Sequence, residues 1–524
     1  MTARTTANPN YHGEAVIPGV VVIPHVGAPE AKARSVVITP DTSSRVDFGA
    51  HNNDLPNLLR ALNERVFNVE CKGELVPTPQ PHRGVWKAFA HVGKRIARRV
   101  TSLPLEPLTC GEFLNQCPAN KRALYASAAA TYIQRGWVSK DAKIKAFVKF
   151  EKLNFTKKVD PAPRVIQPRT PVYNYALGRY TRRVEHELYH ALAEEWGEDG
   201  GIVVMKGLTV EGVASELRRK WECFNNPVAV SLDASRFDQH VSRDALVWEH
   251  SVYKRIFGWN PELCGLLHQQ LNNKGFAFID GMKLTYSARG TRASGDMNTS
   301  LGNCLIMCTL VREYVREIGV TGLLANNGDD CVLFVENSDL SKLDGLYDWF
   351  LKYGFEMKID NTTNVFEQVE FCQTQPVWCC DRWVMVRQPV TALGKDALCL
   401  GGKTSLDFSQ WCYQVGVGGA ALYGDMPVFC ELYKMYKRCG TPSRIGESLL
   451  VSDSGFMRMS KKPRVRGDII SDDIGASTRL SFYKAFGLPP SGQVRLENYL
   501  RDYTFKGVCD SVVNPTPALG LALA

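Results

Sequence analysis

Two apolar runs that end in acids constrain this chain more than any other feature. Residues 226–233 read as a buried strand that stops at Asp233. Residues 322–336 read as a hairpin, with Leu323 and Leu324 leading into Asn327-Gly328-Asp329-Asp330 and residues 331–334 leading out. Asp and Asn are ordinary turn residues, so the hairpin alone says little. Two strand-borne acid clusters framed by apolar residues say more, because burying carboxylates is costly unless they bind cations. Together they point to a Mg²⁺ site with Asp233 and Asp329 as ligands. Two Mg²⁺ ions about 3.5–4 Å apart activate an attacking hydroxyl and stabilise leaving phosphate oxygens, and they need hard oxygen donors.

A third polar segment, residues 292–303, lies between the two. Gly295 permits a loop in which backbone approaches a substrate. Thr299 and Asn303, four apart on a helix expected over 298–315, share one face. A small polar face of this kind suits ribose hydroxyls. A capped helix with a Ser/Gly start has the same pattern and, taken alone, is the commoner arrangement.

The 524 residues are 44% hydrophobic and 22% charged, which excludes a disordered, collagen-like or coiled-coil chain. Several packed units are expected at this length. Lys plus Arg outnumber Asp plus Glu by 63 to 54, and the excess is local. Residues 94–183 hold 19 basic residues against five acids, Glu106, Glu112, Asp141, Glu151 and Asp160, so the remainder is slightly acidic. Residues 86–136 read as helical, with Lys94, Arg95, Arg98 and Arg99 on one side; residues 141–169 read as extended basic segments broken by Pro161, Pro163 and Pro168. A solvated surface would account for such charge, but so dense a tract also suits an RNA backbone. Residues 1–80 read as strands and loops without a strong helix, and helical patterns return after about 405. The sixteen cysteines include no C-x-x-C pair, although Cys379 and Cys380 are adjacent; they read as reduced, mostly buried intracellular thiols. No uninterrupted apolar run approaches the ~20 residues of a membrane helix, so neither a signal peptide nor a transmembrane span is expected.

DASRFDQHV (233–241), SGDMNTSLGN (294–303) and NNGDDCV (326–332), in that order and spacing, resemble the palm motifs of viral RNA-dependent RNA polymerases, closest to the replicases of tombusvirus-like positive-strand RNA viruses. FVKFEK (147–152) with PAPRVIQPR (161–169) resembles the family's triphosphate-holding fingers motif, VEFCQ (369–373) its primer-gripping hairpin, and TRLSFYKAFGLPPSGQ (478–493) its thumb. The resemblance covers roughly residues 140–495. It implies an α+β right-hand fold: an N-terminal extension of unknown role (1–85), fingers (86–225), a palm of antiparallel sheet on helices (226–385) with a fingers insertion at about 245–285, and a helical thumb (386–524). The implied reaction is template-directed nucleotidyl transfer from NTP to an RNA 3′-OH by a two-metal mechanism, replicating a viral RNA genome, with Mg²⁺ or alternatively Mn²⁺.

Residue by residue, the resemblance makes Asp233 and Asp329 the principal metal ligands and Asp330 an outer one. Lys358, in YGFEMKID (353–360), stands where the family often has a lysine proposed to protonate pyrophosphate. Asp238 and Asn303 would recognise the ribose 2′-OH. Ser294, Gly295 and Thr299 would seat template and nucleotide, and Arg164 and Arg169, with Lys149 and Arg292, would face triphosphate or RNA. The implied partners are RNA template, RNA product and NTPs, with no DNA. Replication on membranes implies peripheral attachment in the host cytoplasm through a membrane-anchoring viral replicase protein, or through a fusion that carries the anchor.

Two other classes of function compete. His186-Glu187-Leu188-Tyr189-His190 matches H-E-x-x-H, the zinc-protease arrangement, but no Gly-x-x-His continuation follows and Glu194, Glu195 and Glu198 have no pattern marking a third ligand. A polar helix surface without zinc is expected there. A non-catalytic RNA-binding or capsid protein would need the basic tract but not the acids. A reverse transcriptase would share the chemistry; Asn303 and Gly328 favour RNA synthesis by family likeness.

Overall fold

The expected strand forms as Pro227–Ala234 and lies inside a four-stranded antiparallel sheet whose spatial order is Gly322–Asn327, Asp330–Glu336, Pro227–Ala234, Met357–Thr363. This is a computed structural model, and it describes residues 17–31, 34, 36–39, 48–155, 159–198, 201–400, 405–442 and 474–505. Alternation of side chains sends Val228, Val230, Leu232, Leu333 and Val335 into one core and Ala229, Val332 and Phe334 into another. Both faces are covered, which is why these strands read as nearly continuous apolar runs. The first core is shared with the helices Pro171–Glu195, Arg243–Ile256 and Thr299–Glu317. The last of these is buried on all sides over most of its length, as an apolar helix must be. The second core holds the helix Val210–Trp221 and the C-terminal helices Ser405–Tyr423, Phe429–Cys439, Ala476–Phe486 and Pro490–Asp502.

Between the Asp233 strand and the helix Thr299–Glu317 the chain leaves this sheet. After the helices Arg243–Ile256 and Pro261–Gln269 it forms the strands Asn272–Ile279 and Met282–Arg289. These join a second sheet with Val20–Pro24 at one edge and Ile144–Lys145, paired parallel, at the other. The basic segment is extended as expected, in the short strands Ile144–Lys145, Phe147–Val148, Leu153–Asn154 and Val165–Ile166; Lys157 and Lys158 lie outside the described residues. Two arginines of the helix Ala90–Val100 are paired within the protein, Arg95 with Glu195 and Arg99 with Glu194, so less of that helix's charge is left over than its sequence suggests.

One expectation is overturned in the N-terminal segment. Leu55–Leu62 is an α-helix, started by Asp54, whose Oδ1 accepts from the Asn57 N–H at 2.9 Å. Leu55, Leu58, Leu59 and Leu62 have helical spacing, a signal that the turn-rich surroundings outweighed. The N-terminal segment also braces later parts of the chain: Val36–Ile38 pairs with Leu398–Leu400, and the Arg34 guanidinium donates to the carbonyls of His51, Val148 and Lys149. The fifteen described cysteines are free thiols, of which Cys71, Cys223 and Cys380 are exposed. No described helix is long and apolar enough to cross a membrane.

Candidate active site

Strand pairing brings the separate acid clusters to one end of the first sheet. Leu232 pairs with Cys331, so Asp233 emerges beside the hairpin turn. Asn327 pairs with Asp330, leaving Gly328 and Asp329 as a two-residue loop with Gly328 at φ +97°, a conformation that glycine adopts without strain. Fully buried Asn326 ties the turn from inside: its Nδ2 donates to Gly328 O at 2.7 Å and its Oδ1 accepts from Gly328 N at 3.0 Å. Solvent reaches all three acids, although surrounding protein crowds Asp233 and Asp330 and strips part of their hydration. Burial raises the Asp233 carboxyl above its ordinary range, Asp360 and Asp329 raise it further, and Lys358 opposes them. The Asp330 carboxyl is also raised, by burial and then by Asp329 and Asp233, against a hydrogen bond from Cys372 and the charge of Lys206. Such a cluster of mutually repelling hard oxygen donors suits divalent cations.

Lys358 pairs directly with Asp233 across the sheet. Between Ser231 and Leu232 the register slips: Ser231 faces Asn361 and Leu232 faces Ile359, which leaves Asp360 as the extra residue of a bulge beside Asp233. The sequence reading missed Asp360. Its signal was its place two residues after Lys358, on the same side of a strand. Lys206 was missed as well, and no local signal marks it. The bridge between Val204 and Asn326 carries it to the turn, where its Nζ donates to Asn327 Oδ1 at 2.8 Å and Asn327 O at 3.3 Å.

Asp238 follows on a short turn of helix, Phe237–His240, entered through Arg236 at φ +48°. Asn303, from the helix Thr299–Glu317, donates through Nδ2 to Asp238 Oδ1 at 2.8 Å. The Asn303 Oδ1 is buried and has no hydrogen-bond partner, an acceptor left open beside the acids. Burial raises the Asp238 carboxyl, Asn303 and Arg292 lower it, and Asp329 raises it again, so this pair and the acid cluster share one field.

Other sequence-predicted residues are placed differently from expectation. Gly295 approaches protein, not substrate: a Cβ there would sit 2.6 Å from Pro168 N and Cα, so only glycine lets the loop pack on the 161–169 segment. Ser294 Oγ donates to Val165 O at 3.2 Å and Thr299 Oγ1 to Ala293 O at 2.8 Å, both closing the same loop. Arg169 is buried, its guanidinium bound to Asp296, Asn273 and Ala142 O. Arg292 is buried against Glu249, which also accepts from Asn298 Nδ2 and the Tyr253 hydroxyl, each at 2.9 Å. Buried arginines with carboxylate partners hold architecture; sequence spacing shows their charge but not its burial. The Arg292 N–H donates to Asp238 O at 2.8 Å, so this network positions the Asp238–Asn303 pair. Arg164 keeps an exposed guanidinium, 3.2 Å from Glu151, and Lys149 reaches the same carboxylate at 2.7 Å.

His186 and His190 are both exposed on the helix Pro171–Glu195, and Glu187 is engaged by Arg183. Among the described residues one group of three His, Cys, Asp or Glu side chains has donor atoms within 4.8 Å of one another, Cys379, Cys380 and Asp425, and the His186 motif takes no part in it. The three exposed acids do not close to that spacing either, so a cation between them would draw the strand end and the turn together or be bridged by further oxygens.

A protein-family model described as viral RNA dependent RNA polymerase matches residues 22–507. The chain is 40% identical over 485 residues to the RNA-directed RNA polymerase of Tobacco necrosis virus (strain A), covering 92% of this chain and 65% of that protein. It is 41% identical over 517 residues to that of Pothos latent virus (isolate Pigeonpea/India), covering 96% and 67%. With that of Turnip crinkle virus it shares 38% over 492 residues, covering 92% and 61%. The chain thus spans about two thirds or less of the length of these relatives. It belongs to the viral RNA-dependent RNA polymerase family.

Proposed function

We propose that this chain synthesises RNA on an RNA template at the end of the first sheet. The observation that carries the proposal is the juxtaposition, at one sheet end, of Asp233, Asp329 and Asp330 with the Asp238–Asn303 pair. On this reading the fold is a right-hand polymerase, with the first sheet as palm, the second sheet and basic segments as fingers, and the C-terminal helices as thumb. The proposed reaction forms a bond from an RNA 3′-oxygen to the α-phosphorus of an NTP and breaks the bond to the β-phosphate oxygen, releasing pyrophosphate.

Asp233 and Asp329 would hold divalent metal, with Asp330 as an outer ligand and Asp360 adding negative charge. When bound, Mg²⁺ or Mn²⁺ supplies charge that favours the ionised 3′-hydroxyl and the departing phosphate oxygens. Asn303 Oδ1 accepts the proton of the ribose 2′-OH, while its Nδ2 stays on Asp238. A deoxyribose would leave that buried acceptor unpaired, which disfavours dNTP. Arg164 and Lys149 bind the triphosphate, exchanging Glu151 for phosphate oxygens. Arg169 and Arg292 act from behind by fixing the loops. Lys358 stands opposite Asp233 as the proton donor to pyrophosphate.

Template-directed incorporation is the test. With a homopolymeric RNA template and Mg²⁺, only the complementary NTP should enter product; incorporation indifferent to template would contradict the proposal.

A further inference from the structure

A cluster of two thiols and a carboxylate, unlike the acid cluster in chemistry, lies where a β-hairpin meets the C-terminal helices. The hairpin pairs Thr374–Cys379 with Arg382–Arg387 and turns through Cys380 and Asp381, at φ +48° and +61°. Asn-Gly usually fills such a turn, because both positions lie in the left-handed region. Here the turn instead presents two adjacent thiols, Cys379 buried and Cys380 exposed. Facing them is Asp425, in the loop between the helices Ser405–Tyr423 and Phe429–Cys439. The Cys379 thiol lies 3.6 Å from Asp425 O.

Both sides are held independently of any metal. Trp378 N donates to Ser481 Oγ at 2.9 Å behind the hairpin. Met426 and Val428 are fully buried in the loop, and Val428 N donates to Glu497 Oε1 at 3.0 Å. The two backbone segments that carry the donors are therefore set by packing, as a preorganised site requires.

The spacing of the donors selects the ligand. The two Sγ atoms are 3.7 Å apart. A disulfide needs about 2.05 Å, whereas two sulfurs each about 2.3 Å from a tetrahedral Zn²⁺ stand about 3.8 Å apart. The carboxylate oxygen lies within 4.8 Å of both. Two thiolates and a carboxylate are a donor set for zinc and not for the hard cations of the acid cluster.

We propose that Cys379, Cys380 and Asp425 bind one Zn²⁺, with water completing the tetrahedron, and that the ion staples the hairpin to the helical C-terminal region. The experiment uses the full chain, stripped with chelator and kept in a non-thiol reductant, titrated with Co²⁺ alone and then with Zn²⁺. One equivalent of Co²⁺ should give a sulfur-to-cobalt charge-transfer band that Zn²⁺ abolishes by displacement. Cys380→Ser and Asp425→Asn should each weaken binding by on the order of 10–100-fold, at least the loss seen when an outer partner of a metal ligand is removed. Cys223→Ser, at another exposed cysteine, and His186→Ala should leave the titration unchanged. Zn²⁺ should also raise the thermal midpoint of the parent but not of Cys380→Ser, since it binds only the folded site. Absence of the band in the parent, or a Cys380→Ser titration with the parent's affinity and band intensity, would overturn the proposal; so would loss of the band in His186→Ala. None of these readouts depends on RNA synthesis.

Discussion

The open Oδ1 of Asn303 carries much of the chemistry proposed here, because a buried amide acceptor with no partner is unfavourable unless a ligand fills it. Asn303→Ala and Asp238→Ala should each narrow the preference for NTP over dNTP by about tenfold or more, read from kcat/KM for the two sugars on one template. If both variants discriminate as well as the parent, the pair does not read the sugar. The proposed role starts from what the sequence shows, Thr299 and Asn303 on one helix face, and from the likeness of residues 294–303 to the polymerase family. The contrary fate of Arg169 and Arg292 was not legible in the sequence. An arginine in a phosphate-rich motif and an arginine buried on Asp296 or Glu249 look the same in one dimension, and only the fold brings the carboxylate partner.

Segments built on period and turn chemistry formed where expected. The Asp233 strand, the Asp329 hairpin and the helix after residue 298 each carry their own hydrophobic pattern, so local sequence specified them. The bulge that displaces Asp360 and the bridge that delivers Lys206 depend on pairing between distant strands, and no local pattern announces them. Gly295 belongs with these. Its flexibility was visible, but what approaches it was not. Gly295→Ala would drive a Cβ into the Pro168 backbone, and rigid backbone on the other side makes a loss of about 1–3 kcal/mol the expected outcome in thermal or denaturant unfolding. Unchanged stability would show that the two loops separate freely.

The helix Arg243–Ile256 contributes an acid-sensitive element. His250 is fully buried against Gln270, and burial lowers its pKa to about 4, with Glu249 opposing and Arg292 reinforcing. Its unfolded value of about 6.5 is higher, so below that value the unfolded chain binds a proton that the folded chain refuses. Stability is complete above pH 6.5 and falls as pH drops towards 4. The lowered carboxyl of Glu249, held by Arg292 despite burial, loses stability in the same direction as acid protonates it. His250→Gln should flatten the decline between pH 6.5 and 4 by on the order of 3 kcal/mol. An unaltered pH profile would place the acid sensitivity elsewhere.

Considered as one object, the protein gathers residues 20–24, 144–145 and 272–289 into one sheet and residues 36–38 and 398–400 into another pairing, so its N-terminal segment spans regions that the sequence alone divides. Attachment to replication membranes in the host cytoplasm through an anchoring partner is proposed on the family likeness alone; separately, no described helix is long and apolar enough to cross a bilayer. Basic surface attraction is screened within about 8 Å at physiological salt. In flotation of cell extracts this chain alone should stay at the bottom of the gradient, and rise with membranes when the partner is supplied. Salt-resistant and RNase-resistant flotation of the chain alone would reveal an anchor of its own.

Nucleotidyl transfer at the end of the first sheet is decided by comparing the parent with Asp329→Ala for labelled NTP incorporation on an RNA template with Mg²⁺. RNA binding is measured on the same preparations. Asp329 is exposed at a turn fixed by Asn326 and Gly328, so its removal should leave the fold intact. Asp329→Ala should bind RNA as the parent does, through basic residues elsewhere, while incorporation falls by at least about 10³-fold. An Asp329→Ala protein that extends RNA at the parental rate would place the chemistry elsewhere in the fold.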